Sequence, residues 1–209
     1  QAGRVLIDGD DIAHWPRRRL AQVMAYVPQA HAAFFPFTVR DVVLMGRTAR
    51  IGLFATPSRP DIAAADRALE TLGIAALADR VYTQISGGER QLTLIARALA
   101  QEPRLLIMDE PTASLDFGNQ VRVLDQVRAL ARVGIGIVLS THDPDHAFLC
   151  ADRVALLHDG AVVRLGRPET EITPETLRLL YGVEVAVIPV AERGVRLCVP
   201  SLAGHGTRH

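Results

Sequence analysis

Several short stretches of this sequence combine residue types suited to phosphate and metal chemistry. "LLIMDE", Leu105 to Glu110, runs four apolar residues into two carboxylates. Asp109 leaves the core where a strand would end, and an Asp there can hold Mg²⁺, directly or through water. Side chains alternate along a strand, so Glu110 can address a different atom, such as a water poised to attack a phosphate. "ISGGERQ" sets Ser86, Gly87 and Gly88 before an amphipathic run. A hydroxyl and free amides at a helix N-terminus converge with the helix dipole on an anion. His142 follows "IVLST", where it can donate a hydrogen bond to a transferred phosphoryl group. Gln29 follows "YVP"; its side-chain carbonyl suits Mg²⁺ or a water.

Each stretch alone has a plainer reading. A carboxylate pair can cap a turn. Ser86 with Glu89 three residues on is a capping box, although a capping box needs no Gly-Gly. Ser114-Leu115-Asp116 is also an N-cap, of interest because it closely follows "DEPT". A strand-end histidine or a loop glutamine needs no task. His14, His31, His146, His158, His205 and His209 show no metal-ligand spacing.

The elements that must position these residues alternate along the chain. Val5 to Ile7 predict a strand turned by Asp8-Gly9, and Val23 to Val27 a second strand ended by Pro28. Arg17 to Arg19 read as a solvated basic run. From residue 30 to 84 the pattern is helical, with capping signals at Thr38 and Ser58 and no convincing strand. Ser86 starts a helix to about Ala100, "RLLIMDE" is a buried strand, and Gly118 to Arg132 is a helix. "GIGIVLST" is another apolar strand, and Pro144 to Cys150 a short helix. Asp159-Gly160 turns a hairpin, Thr173-Pro174 opens a last helix, and Val183 to Val190 form a strand. The tail from Ser201 is polar and expected to be mobile. Continuous apolar strands alternating with helices imply an α/β domain with a mostly parallel sheet and helices on both faces. Ligands then bind at the carboxyl ends of the strands. Gln29, Asp109, Glu110 and His142 are therefore expected along one sheet edge.

Composition narrows the function. The 209 residues are 49% apolar and 5% aromatic, and 23 basic residues balance 23 acidic ones. That balance lacks the basic excess of a nucleic-acid binder. Every basic residue is arginine; there is no lysine. Cys150 and Cys198, with no framework spacing, fit a reducing compartment. No apolar run reaches the length of a membrane-spanning helix, and no signal peptide opens the chain.

The order of the stretches is more specific than any one of them. A glutamine after a strand, a helical insertion, SGGE, "LLIMDEPTASLD" and "LSTHD" follow one another over residues 4 to 166. In this order the chain resembles the nucleotide-binding subunit of ATP-binding-cassette (ABC) transporters, with a P-loop NTPase-like fold. The resemblance implies a partial ABC ATPase domain over residues 1–166, a helical subdomain over about 30–100 that docks on a permease, and a C-terminal extension over 167–209. It implies that Gln29 is the Q-loop glutamine on Mg²⁺, Asp109 the Walker B magnesium ligand and Glu110 the catalytic base. Ser86, Gly87 and Gly88 match the signature that completes ATP binding in trans, with Ile85 for the usual Leu and Glu89 for Gln. Ser114 to Asp116 match the D-loop at a dimer interface, and His142 the switch histidine.

The resemblance further implies ATP and Mg²⁺ as cofactors and a second ABC subunit, transmembrane permeases and, indirectly, a substrate-binding protein as partners. The place of work would be the cytoplasmic face of the inner membrane. "VRDVVLMGRTARIGLFATPSRPD", "LIARALAQEPRLLIMDEPTASLDFGNQ" and "ITPETLRLLYGVEVAVI" are similar to the iron-siderophore, haem and cobalamin uptake branch. Molybdate import and non-transport ABC ATPases acting on ribosomes or DNA are the alternatives. The family also needs G-x-x-x-x-G-K-[ST], whose lysine reaches the β/γ-phosphates. With no lysine here, and with Gln1 rather than methionine first, the expectation is an N-terminally truncated subunit that alone is inactive.

Overall fold

Three short parallel strands form the largest sheet among the described residues. A computed structural model describes residues 3–29, 36–51, 56–192 and 194–201. The chain divides into two compact units, Gln1–Ser140 and Thr141–His209.

The first unit opens with a hairpin, β1 (Leu6–Ile7) and β2 (Asp10–Asp11), turned by Asp8-Gly9 with positive φ at both residues. The turn is where the sequence places it. The partner strand is two aspartates, too short and too polar to show as a strand. Arg17 to Arg19 are exposed, as expected of a solvated basic run, but they open a helix, α1 (Arg17–Val23), that the sequence does not announce. Its apolar positions, Leu20, Ala21 and Val23, are half-buried, and three arginines in the first turn hide that periodicity. Arg19 pairs with Asp10 at 2.9 Å and stacks on Trp15 at 3.9 Å from the ring centre.

Next come β3 (Met24–Val27), α2 (Val39–Leu44), α3 (Arg59–Thr71), α4 (Gly87–Ala100), β4 (Leu105–Met108), α5 (Phe117–Arg132) and β5 (Gly136–Leu139). The sheet order is β3-β4-β5, parallel throughout. Ala25, Val27, Leu106 and Met108 are buried on one sheet face. Helix cover is unequal: on the other face Tyr26 and Val138 are 53% and 57% exposed.

Helices α2, α3 and α4 pack together as a helical subdomain. Capping boxes start all three, Thr38 with Asp41, Ser58 with Asp61 and Ser86 with Glu89. Val43, Leu69 and Ile95 are fully buried among them, each contributing about 1.5–3 kcal/mol of apolar burial. Gly46 allows the closest approach, since a Cβ there would lie 2.0 Å from the Arg97 carbonyl oxygen. The adjacent Arg47 is buried and donates three hydrogen bonds. Its Nε donates to Asp61 Oδ1 at 3.0 Å, and its Nη1 to Ala100 O at 2.8 Å and Glu102 Oε2 at 2.9 Å. The Ser58 hydroxyl and N–H, then Arg47, lower the Asp61 pKa to about 2.

The second unit contains α6 (Pro144–Cys150), β6 (Val154–His158), β7 (Ala161–Gly166), α7 (Pro168–Glu171), α8 (Pro174–Tyr181), β8 (Val185–Val190) and β9 (Val195–Pro200). Its core gathers Ala147, Ile172 and Leu177, against which Phe148, Val154, Val185, Val187 and Cys198 pack. Asp159-Gly160 turns the β6–β7 hairpin as expected. Strand β9 is additional to the single strand expected in the extension, and it pairs with β8 along its whole length. The Ser201 N–H donates to Glu184 O at 2.8 Å, so Ser201 is tied to this hairpin. The rest of the expected mobile tail, residues 202–209, lies outside the described residues. Among the described residues no helix is long and apolar enough to cross a membrane.

Candidate nucleotide site

Strand register determines which side chains meet at the sheet edge. Val27, Met108 and Leu139 are lateral partners, the last residues of β3, β4 and β5. Asp109 follows by one residue and Gln29 by two, so both leave the carboxyl edge of the sheet. The ladder continues briefly: Asp109 N–H donates to Val27 O and Ser140 N–H to Met108 O, each at 2.9 Å.

The Asp109 carboxylate is held from both sides. Ser140 Oγ donates to Oδ1 at 2.8 Å, and Tyr26 Oη donates to Oδ2 at 3.2 Å. Ser140 Oγ also accepts the Glu110 N–H at 2.9 Å. Desolvation and the neighbouring Asp109 charge raise the Tyr26 pKa, so the phenol stays a donor near neutrality. Glu110 has φ +42°, in the left-handed region that non-glycine residues avoid. That conformation breaks strand alternation at this residue and costs on the order of 1–3 kcal/mol. Adjacent carboxylates are thus given different backbone settings. Ser114, also at φ +61°, lies on the exposed connection to α5.

Ser86 caps α4: its Oγ accepts the Glu89 N–H at 3.3 Å, and Glu89 Oε2 accepts the Ser86 N–H at 2.8 Å. The Ser86 N–H and hydroxyl lower the Glu89 pKa. Gly87 is exposed and Gly88 buried. Asp116 caps α5, accepting the Asn119 N–H at 2.9 Å and Asn119 Nδ2 at 2.7 Å. The Asn119 N–H is the main cause of its lowered pKa. His142 belongs to the second unit, where the residue is exposed and its carbonyl accepts the Tyr181 hydroxyl at 2.9 Å.

Asp109 and Glu110 are legible in the sequence; Tyr26, Ser140 and Asn119 are not. A hydroxyl directly after a strand in parallel register with "LLIM" was the available signal for Ser140. Among the described residues no group of three or more His, Cys, Asp or Glu is placed to hold a metal ion. Asp109 and Gln29 both carry oxygen donors at the carboxyl edge of the sheet, a donor type that suits Mg²⁺, which keeps waters and takes substrate phosphates.

The family model for "ABC transporter" matches residues 1–113. An uncharacterized ABC transporter ATP-binding protein of Haemophilus influenzae is 45% identical over 179 residues, 86% of this chain and 68% of that protein. The hemin import ATP-binding protein HmuV of Gloeobacter violaceus is 39% identical, over 95% of this chain and 74% of its own. Among solved structures, an inward-facing transporter described as metal-chelate type is 35% identical with a TM-score of 0.82, covering 87% of this chain and 73% of that one. A parallel sheet ending in a differentiated Asp-Glu pair, a capped SGGE helix and these matches lead to one conclusion: the chain belongs to the ABC transporter ATP-binding family, with its P-loop NTPase-like fold and ATPase chemistry.

Proposed function

We propose that this chain is the ATP-binding subunit of an importer for an iron chelate, haem or cobalamin. The observation that carries the catalytic reading is the Asp109-Glu110 pair. Two hydroxyls fix the Asp109 carboxylate, while a left-handed backbone sets the next carboxylate apart. The likeness to the hemin import protein and the metal-chelate type transporter supports the cargo class.

Asp109 and Gln29 would hold Mg²⁺, which neutralises charge on the phosphate oxygens when bound. Glu110 accepts a proton from the attacking water, a role worth about 10²–10⁴-fold in rate. His142 donates a hydrogen bond to the transferred phosphoryl group. Ser86, Gly87 and Gly88 close over the phosphates of the ATP held by the opposite subunit, through amides at the start of α4. Ser114 to Asp116 lie in the interface between the two subunits, and the helical subdomain faces the permease. The chain contains no lysine, so the lysine contact to the β/γ-phosphates comes from outside these 209 residues. By itself the chain hydrolyses ATP negligibly.

The test mixes this chain with an intact ATP-binding subunit and measures ATPase activity. The expected result is an altered rate that Ser86→Arg abolishes, with no Glu110-dependent turnover from this chain alone. An unchanged rate in the mixture overturns the in-trans reading. Glu110-dependent hydrolysis by the chain alone overturns its inactivity.

A further inference from the structure

Neither glycine of the Ser86-Gly87-Gly88 stretch has a positive φ, so conformational freedom does not require either one. Their surroundings differ. A Cβ on the exposed Gly87 would meet only Leu115 Cδ2, at 3.8 Å, an ordinary contact. A Cβ on the buried Gly88 would lie 2.3 Å from Asn119 Cγ, 2.4 Å from Oδ1 and 2.8 Å from Cβ. No real side chain fits there unless Asn119 moves. Asn119 is held against moving, because its N–H and its Nδ2 both donate to the Asp116 carboxylate. Its Cβ is fixed by the α5 backbone in any case. The start of α4 is therefore pressed against a side chain that the Asp116 cap keeps in place.

We infer that Asn119 is a positioning residue that joins the start of α4 at Ser86–Gly88 to the Ser114–Asp116 loop, so that the two move as one body. Gly88 is glycine to admit Asn119. Gly87 is left as the glycine that an outside group approaches. The mechanical link stands on geometry alone; its consequence for ATP closure rests on the function proposed above. In that setting, a shift of the interface loop at Asp116 carries through Asn119 to the amides of the same subunit that face the partner's ATP.

Amide hydrogen exchange on the full chain, without nucleotide, tests the link. Gly88→Ala is expected to speed exchange about tenfold or more at both 86–90 and 116–120, while Gly87→Ala changes either segment by less than about twofold. Adding Asn119→Gly to Gly88→Ala, which removes the colliding Cβ as well as the amide, is expected to restore slow exchange at 86–90. Asp116→Ala, which keeps both glycines, is expected to speed exchange at Glu89 and Arg90 by about fivefold, and it serves if Gly88→Ala does not fold. An effect of Gly88→Ala confined to 86–90, no rescue by Asn119→Gly, or an Asp116→Ala variant with unchanged Glu89 and Arg90 overturns the inference. These readings need no ATP. Their failure leaves the in-trans ATP reading standing, and failure of the mixing experiment leaves the link standing.

Discussion

Ser140 Oγ donates to Asp109 Oδ1 at 2.8 Å, joining the ends of two adjacent parallel strands. The same oxygen accepts the Glu110 N–H at 2.9 Å. One hydroxyl therefore fixes the aspartate side chain and supports the strained backbone of the glutamate. Ser140→Ala removes both bonds and is expected to lower stability by about 1 kcal/mol. Ser140→Thr keeps the hydroxyl and is expected to lose much less. Urea denaturation of the three proteins checks this, and equal stability of Ala and wild type would show that the bond holds nothing in place.

Arg47 is predicted to be the most sensitive charged position of the helical subdomain. It is 6% exposed and bridges the N-terminus of α3, through Asp61, to the C-terminal end of α4, through Ala100 O and Glu102. Removing one member of such a buried set strands the others. Arg47→Ala is expected to cost on the order of 3 kcal/mol, seen as a lower thermal midpoint. Arg67 also reaches Glu102, but from an exposed position, so Arg67→Ala is the control and is expected to stay within about 1 kcal/mol.

Acid should loosen the same bridge. Asp61 titrates at about 2 in the folded chain, below the ordinary carboxyl value of 3.8. A depressed pKa stabilises the fold above the unfolded value, and that contribution disappears as pH falls through the folded value. The Asp61 contribution is therefore complete above about pH 4 and lost toward about pH 2. Glu102, whose pKa Arg47 also lowers, acts in the same direction. Thermal midpoints measured down to about pH 2 should fall less steeply for Asp61→Asn than for wild type. Parallel curves would count against the assignment.

Much of this arrangement was legible because local chemistry and global fold agree. Thr38, Ser58 and Ser86 start helices by side-chain caps that are written within four residues. "LLIM" and "IVL" announce strands, though only "LLIM" has buried residues, and parallel pairing then places Asp109 and Gln29 at one edge. What stayed hidden depends on distance in sequence. Arg47 meets Glu102 across 55 residues, and Ser140 meets Asp109 across 31. Helix α1 was hidden for another reason: Arg17 to Arg19 present a charged surface while Leu20 and Val23 turn inward. The different roles of Gly87 and Gly88 could not be read from two identical letters, because Asn119 decides between them.

Phe117 provides a test of the proposed interface between subunits. It is the first residue of α5, directly after the Asp116 cap, and it is 81% exposed. A large aromatic left in solvent beside a rigidly capped loop suits a partner surface, where aromatic anchors carry a disproportionate share of binding energy. It contributes little to the isolated fold, since surface substitutions away from special features stay within about 0.5 kcal/mol. Phe117→Asp is therefore expected to leave the thermal midpoint almost unchanged. The same variant should weaken association with an intact ATP-binding subunit in MgATP by about tenfold or more, because a charge replaces a buried ring. Phe117→Leu should keep most of the affinity. Sedimentation of the mixtures separates the outcomes: unchanged association of Phe117→Asp would remove the ring from the interface, and a lowered midpoint would make it a structural residue instead.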